Sequence, residues 1–261
     1  MRTPARWQFD HRRIPVVAIV TYGIAVIAWV AIVRRWLPMP GSVPGLQMTD
    51  PGGPEAMALS NGLAGLGLYV GMWGVMMVAM MYPSTVPLFR MYYRTLDGTT
   101  NLQKATRVSA FLGTYALIWA LTGVVPLLVN AAVPIAVVAD GHGMLLLGGT
   151  LVLASLYQLS PYKRRCLQYC RTPLGFLMEY HQPGVSGAAR MSFRFSVFCV
   201  GCCWALFAVL VVVGSMNILW MAGITAILSA ERVLTWGDRV AKGIGVASGV
   251  TGVAAVLVAL V

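Results

Sequence analysis

Apolar stretches of close to 20 residues, the length a helix needs to cross the roughly 30 Å hydrocarbon layer of a bilayer, recur along almost the whole chain. Seven are read, at about residues 14–33, 62–82, 109–129, 144–159, 193–214, 216–230 and 244–261. Of the 261 residues, 58% are hydrophobic and only 10% charged. A soluble domain carries about 25% charged residues, so this chain lacks the polar surface to coat a globule in water. The pattern predicts an all-α fold: one integral membrane domain over residues 1–261, a polytopic bundle of about seven transmembrane spans. The sixth span is short and follows the tight turn Gly214-Ser215-Met216-Asn217, so the fifth and sixth form a tilted helical hairpin in this reading.

The formal net charge of +11 does not point to nucleic acid, because the basic residues are gathered into alternate loops. Arg90, Arg94, Lys104 and Arg107 fall in one. Lys163, Arg164, Arg165, Arg171 and Arg190 fall in the next, and Arg232, Arg239 and Lys242 in a third. The segment at 130–143 has no Lys or Arg, and the 34–61 loop has only Arg34 and Arg35. Positive loops stay in the cytoplasm, which places the N-terminus inside and predicts a multi-pass protein of the bacterial cytoplasmic (inner) membrane. The first apolar stretch follows Arg2, Arg6, His11, Arg12 and Arg13 and has no small-residue cleavage site. It reads as a retained span rather than a signal peptide. The Pro- and Gly-rich stretch 38–54 is expected to be irregular and to lie over the outer surface.

Sulfur is the chemical signal. Cys166 and Cys170 follow the fourth span, and Cys199, Cys202 and Cys203 lie about two turns into the fifth. The second span carries Trp73-Gly-Val-Met76-Met77-Val-Ala-Met80-Met81 towards the same side. Spacings of three and four residues put side chains on one helix face. Three separate segments thus deliver sulfur to one depth near the cytoplasmic surface. Thiolates and thioethers select Cu(I), and thiolates also hold Zn²⁺. The candidate metal ligands are Cys166, Cys170, Cys199, Cys202 and Cys203, with Met77, Met80 and Met81 lining the approach or completing coordination. Copper is the expected metal and zinc the alternative. Lys163, Arg164, Arg165 and Arg171 are expected to favour thiolate by lowering the thiol pKa. Against this, Met fills gaps in apolar cores and buried Cys behaves as a small hydrophobe.

Five cysteines is an odd number, and a disulfide framework is not expected on the cytoplasmic side. Glu231 either caps the site as a hard ligand or proton acceptor, or pairs with a cytoplasmic Lys or Arg. Asn217 is placed to bond across helices. His11, His142 and His181 show no ligand spacing within a span, and GxSxG, P-loop and HExxH motifs are missing. An enzyme is therefore not expected. Gly62, Gly65, Gly67, Gly71 and Gly74 predict that the second span packs closely on several neighbours.

Several of these segments together resemble a bacterial family of predicted metal-binding integral membrane proteins of unknown function. They are Trp73 to Ser84 with Ala79-Met80-Met81-Tyr82-Pro83; Tyr157-Gln158-Leu159-Ser160-Pro161-Tyr162-Lys163 with Cys166, Cys170, Arg171 and Pro173; Gly201-Cys202-Cys203-Trp204; and Ser215-Met216-Asn217 to Glu231. They span about residues 70 to 235, leaving out the first span and the long outer loop. The resemblance implies a helical membrane fold and a metal, without naming the metal or a reaction. The function expected is copper handling or delivery by ligand exchange between sulfur sets. The expected partners are the lipid bilayer and a membrane-complex or metal-delivery partner protein. An accessory subunit of a larger membrane complex is the alternative, and a transporter ranks below it.

Overall fold

The structure, a computed structural model, describes residues 16–261. The basic arm with Arg2, Arg6, His11, Arg12 and Arg13, and the expected start of the first span at Ile14, lie outside the described residues. Among the described residues all regular structure is helical. Six helical stretches are long and apolar enough to cross a membrane. They are α1 (Val16–Val33), α3 (Gly62–Thr95), α4 (Asn101–Leu121) continued by α5 (Val124–Ala132), α6 (Ile135–Leu159), α9 (Gly184–Val212) and α11 (Gly237–Leu260). The sixth expected span, at 216–230, corresponds to α10 (Ile218–Val233). Its 16 residues rise only about 24 Å, short of a full hydrocarbon layer.

The helices run well past the apolar stretches. The second span is expected to stop at about Tyr82, yet α3 continues to Thr95 with Pro83 and Pro87 inside it. Pro83 has no N–H to offer the carbonyl of Ala79, four residues back. The indole Nε1 of Trp29, on α1, donates to that oxygen instead at 3.0 Å. The neighbouring helix thus satisfies the group that the proline frees. At the far end of α3 a short turn leads into α4, where Thr100 and Gln103 form a reciprocal capping box. The expected 130–143 loop is mostly helix as well. α6 begins at Ile135 and is bent at His142, whose backbone leaves the helical region (φ −137°, ψ 35°), so the expected start at 144 marks the kink.

Three further short helices complete the fold: α2 (Gly53–Ser60), α7 (Pro161–Arg171) and α8 (Pro173–Tyr180). Pro161 opens α7 at a position where a missing N–H costs nothing, and Ser160 Oγ accepts from Lys163 N at 3.2 Å. Asn217 caps α10 by accepting from the backbone N–H of Leu219 and Trp220, rather than bonding across helices as expected.

α3 packs against α1, α2, α4, α8 and α10, and is the centre of the bundle. The glycine expectation holds at two of its five positions. A Cβ on Gly65 would lie 2.7 Å from Pro40 O, and one on Gly74 would lie 2.9 Å from Ala120 Cβ. Gly62, Gly67 and Gly71 face open space. The 38–54 stretch is irregular up to α2 and mostly exposed or half-buried, as expected of a segment at the surface, with burial confined to Pro40 and to its end at 52–54. Gly214, at φ +101° in the α9–α10 turn, abuts the backbone of Thr49, and Glu55 is fully buried. α6 and α11 form a pair so close that a Cβ on Gly148 would lie 2.9 Å from Gly252 O. Their far faces expose Leu153, Leu156, Val250, Val253, Leu257 and Val258.

Candidate metal centre

α9 presents Cys199, Cys202 and Cys203 within one turn, where residues three and four apart share a face. All three are buried. α7 crosses α9 and brings Cys170, in its last turn, to 3.7 Å from Cys202 (Sγ to Sγ). The Cys202 and Cys203 sulfurs are 3.3 Å apart. Two sulfurs each about 2.3 Å from one metal ion lie at most about 4.6 Å apart, so both separations suit a shared soft cation.

Arg232, in the last turn of α10, occupies the middle of this group. Its Nη2 donates to Cys199 Sγ at 3.0 Å, Cys203 Sγ at 2.6 Å and Cys202 Sγ at 3.4 Å, while Nη1 donates to Ser84 Oγ on α3 at 2.9 Å. A guanidinium is always charged, and a buried unpaired charge is expensive. Among the described residues the thiols and Ser84 are its close polar partners, so the sulfurs act as its acceptors. Cys199 also meets the hydroxyl of Tyr115, on α4, at 2.9 Å. Tyr82, Phe89, Trp119 and Phe195 surround that ring and exclude water. Among the described residues, no three or more His, Cys, Asp or Glu side chains form a preformed metal cage. The guanidinium already takes the contacts that a cation among these sulfurs would take.

A second buried polar group fixes α7 in place. Lys163 Nζ pairs with Glu231 Oε2 at 2.6 Å and donates to Gln158 Oε1, whose amide donates to Glu231 Oε1 at 2.8 Å. Glu231 is thus the partner of a basic side chain and not a cap on the sulfur site. Arg171 donates to the carbonyls of Leu234 and Thr235 and pairs with Asp238. Two of the basic residues expected to lower the thiol pKa are therefore engaged elsewhere.

The structure brings together four of the eight expected ligands. Cys166 lies to one side, half-buried, with its sulfur against the backbone of Gly201, where a Cβ would approach it to 2.9 Å. Burial, and secondarily the nearby Cys202, push the Cys166 thiol up, the reverse of the expected lowering. Because its thiolate fraction is small near pH 8, Cys166 should be alkylated by iodoacetamide more slowly than a free cysteine. Its rate should still be climbing above pH 9, read by mass spectrometry; a plateau below pH 8.5 would refute this. Met77, Met80 and Met81 are fully buried and belong to the same core as the clustered cysteines. The polar contact from α3 comes instead from Ser84, one turn further on. All five cysteines are free.

Arg232 is the residue of this cluster that the sequence reading places elsewhere, with Arg239 and Lys242 in a basic loop, whereas the structure sets it among the thiols. Its signal was available: a charge within an apolar segment at the depth of the thiols.

A family model described as PpoB2, copper chaperone, matches residues 70–255, well over half of the chain. The chain belongs to this copper chaperone family. The matched stretch holds all four clustered cysteines, Ser84, Arg232 and the Lys163–Glu231 pair, and it leaves out α1 and α2. No curated protein and no solved structure matches the chain. Copper as the cargo of the copper chaperone family agrees with the soft donor set that the fold assembles.

Proposed function

We propose that the protein is a membrane-embedded copper chaperone that takes up Cu(I) at Cys170, Cys199, Cys202 and Cys203 and passes it to a metal-receiving partner protein. The observation that carries the reading is the cluster of four thiols from two helices, three of them bonded to the buried guanidinium of Arg232. Cu(I) held by two thiolates is a monoanion, and Arg232 is the monocation beside it. Without the metal, Arg232 occupies the space beside the α9 sulfurs and gives them a donor in place of water. With it, the guanidinium moves aside and becomes the counter-ion. Each thiol that binds gives up its proton as the sulfur–copper bond forms, and copper keeps its oxidation state. Exchange between Cys170 on α7 and the α9 cysteines supplies the hand-over step.

The six long apolar helices and the exposed aliphatic faces of α6 and α11 support insertion in a bilayer. The alternate basic loops support an inner-membrane location with the thiol end towards the cytoplasm. α10 runs beside α3 and serves as the short seventh crossing element.

Metal analysis tests the proposal. Protein purified anaerobically after copper loading should hold about one equivalent of copper, and the C202S/C203S variant should lose nearly all of it. Unchanged copper in that variant would remove the proposal, and zinc in place of copper would change the cargo.

A further inference from the structure

The four clustered thiols differ in which of them can be joined covalently. A disulfide takes Cα atoms about 4.4–6.8 Å apart and Cβ atoms about 3.5–4.5 Å apart. Cys202 and Cys203 have the closer sulfurs, 3.3 Å, but they are consecutive, and consecutive Cα atoms lie only about 3.8 Å apart. Cys199 stands three and four residues from these two on α9, a spacing that sets Cβ atoms about 5–6 Å apart. The helix that carries these three cysteines thus holds each pair away from disulfide geometry. Cys170 and Cys202 come from different helices, with their sulfurs in contact at 3.7 Å. Closing to the roughly 2.0 Å of an S–S bond asks each sulfur to move by less than about 1 Å. No shared helix fixes their spacing.

α7 is also the thin side of the cluster. Tyr162, Arg164, Arg165 and Gln168 on this helix are exposed, so a single short helix separates Cys170 from the surroundings. Cys170 is 8% exposed, against at most 2% for the three cysteines of α9. A small uncharged oxidant therefore meets Cys170 first, with Cys202 directly behind it. Both are free thiols in the structure. Permanent disulfides are rare in the cytoplasm, and those that form there are usually transient, catalytic or redox-sensing.

We propose that Cys170 and Cys202 are a peroxide-sensitive pair whose disulfide closes the thiol cluster to copper. The bond needs only this geometry, whereas the closure rests on the reading of the cluster as the Cu(I) site. Cys170 Sγ attacks one oxygen of hydrogen peroxide. The S–O bond forms, the O–O bond breaks, and the first water leaves with the thiol proton, giving a sulfenic acid at Cys170. Cys202 Sγ then attacks Cys170 Sγ. The S–S bond forms, the S–O bond breaks, and the second water leaves with the Cys202 proton. Together the thiols lose two electrons and two protons, and one peroxide becomes two waters. The product ties α7 to α9 and withdraws one sulfur of each helix from ligation, so the hand-over between them stops. Exchange with a small dithiol reverses the bond. The empty protein is thus shut while peroxide lasts.

The test is peroxide treatment of the metal-free, detergent-solubilised full chain, with remaining thiols alkylated before proteolysis and mass spectrometry. A peptide pair joined through Cys170 and Cys202, lighter by two hydrogens, should form in the wild type and in C166S and be missing from C170S. The oxidised wild type should take up less than about a tenth of the Cu(I) that the reduced protein takes from the acetonitrile complex, and dithiothreitol should restore uptake. An unmodified Cys170, a sulfinic acid in place of the crosslink, or a crosslink made by Cys166 would overturn the pair. A Cys170–Cys202 crosslink that leaves Cu(I) uptake unchanged, where reduced C202S/C203S has lost its copper, would overturn the closure. Reduced C202S/C203S that keeps its copper would overturn the copper reading and the closure with it, while the crosslink would stand.

Discussion

Arg232→Leu should bind Cu(I) at least a hundredfold more weakly than the wild-type protein, read by competition with a chromogenic Cu(I) chelator in detergent. On the proposed reading, a bis-thiolate Cu(I) unit would be a monoanion in a site walled by Tyr115, Tyr82, Trp119 and Phe195. Removing its counter-ion leaves a buried charge uncompensated, which costs about 3–5 kcal/mol. At 1.4 kcal/mol per factor of ten, that is a loss of between a hundred- and several thousandfold. The fold should survive, because without the guanidinium the sulfurs stay protonated and no charge remains to be compensated. Arg232→Lys should fall between the two, since it restores the charge but not the planar fork that reaches three sulfurs and Ser84 at once. Wild-type affinity in Arg232→Leu would show that the guanidinium plays no part in holding copper.

The contrast between what the sequence discloses and what it hides is physical. Helices appear as apolar stretches because outward-facing and core-facing positions are both apolar, and the convergence of Cys170 with Cys199, Cys202 and Cys203 follows from spacing plus alternation of loops. The extension of α3 past Pro83 was hidden because its remedy, Trp29 donating to Ala79 O, comes from another helix. That Glu231 pairs with a basic side chain was legible as one of two alternatives, but not that Lys163, 68 positions away, is the partner. Cys166 shares the i,i+4 spacing of Cys170 and still misses the cluster, because α7 crosses α9 at Gly201 and turns that sulfur onto backbone. Glu55 was concealed most completely. Its Gly- and Pro-rich surroundings look like surface loop, and what buries it is the packing of α2 on α3 and α5.

Lys163→Met should destabilise the fold more than Arg232→Leu or Glu55→Gln. Lys163 and Glu231 are both at most 1% exposed in side-chain terms, and breaking such a pair by removing one partner costs about 3–5 kcal/mol. The midpoint of thermal unfolding in detergent should drop sharply. Copper retention should drop with it, because this pair fastens α7, and hence Cys170, to the helix that carries Arg232. Glu231→Gln should do the same from the other side by stranding the ammonium. Lys163→Met combined with Glu231→Met removes both charges and should recover most of the stability, since a buried ion pair exchanged for apolar side chains of similar volume is often neutral. If the recovered double variant also regains copper, the pair acts only as a fastening between α7 and α10. Single variants that melt at the wild-type temperature would show instead that α7 is held by Arg171 and its contacts to Leu234, Thr235 and Asp238.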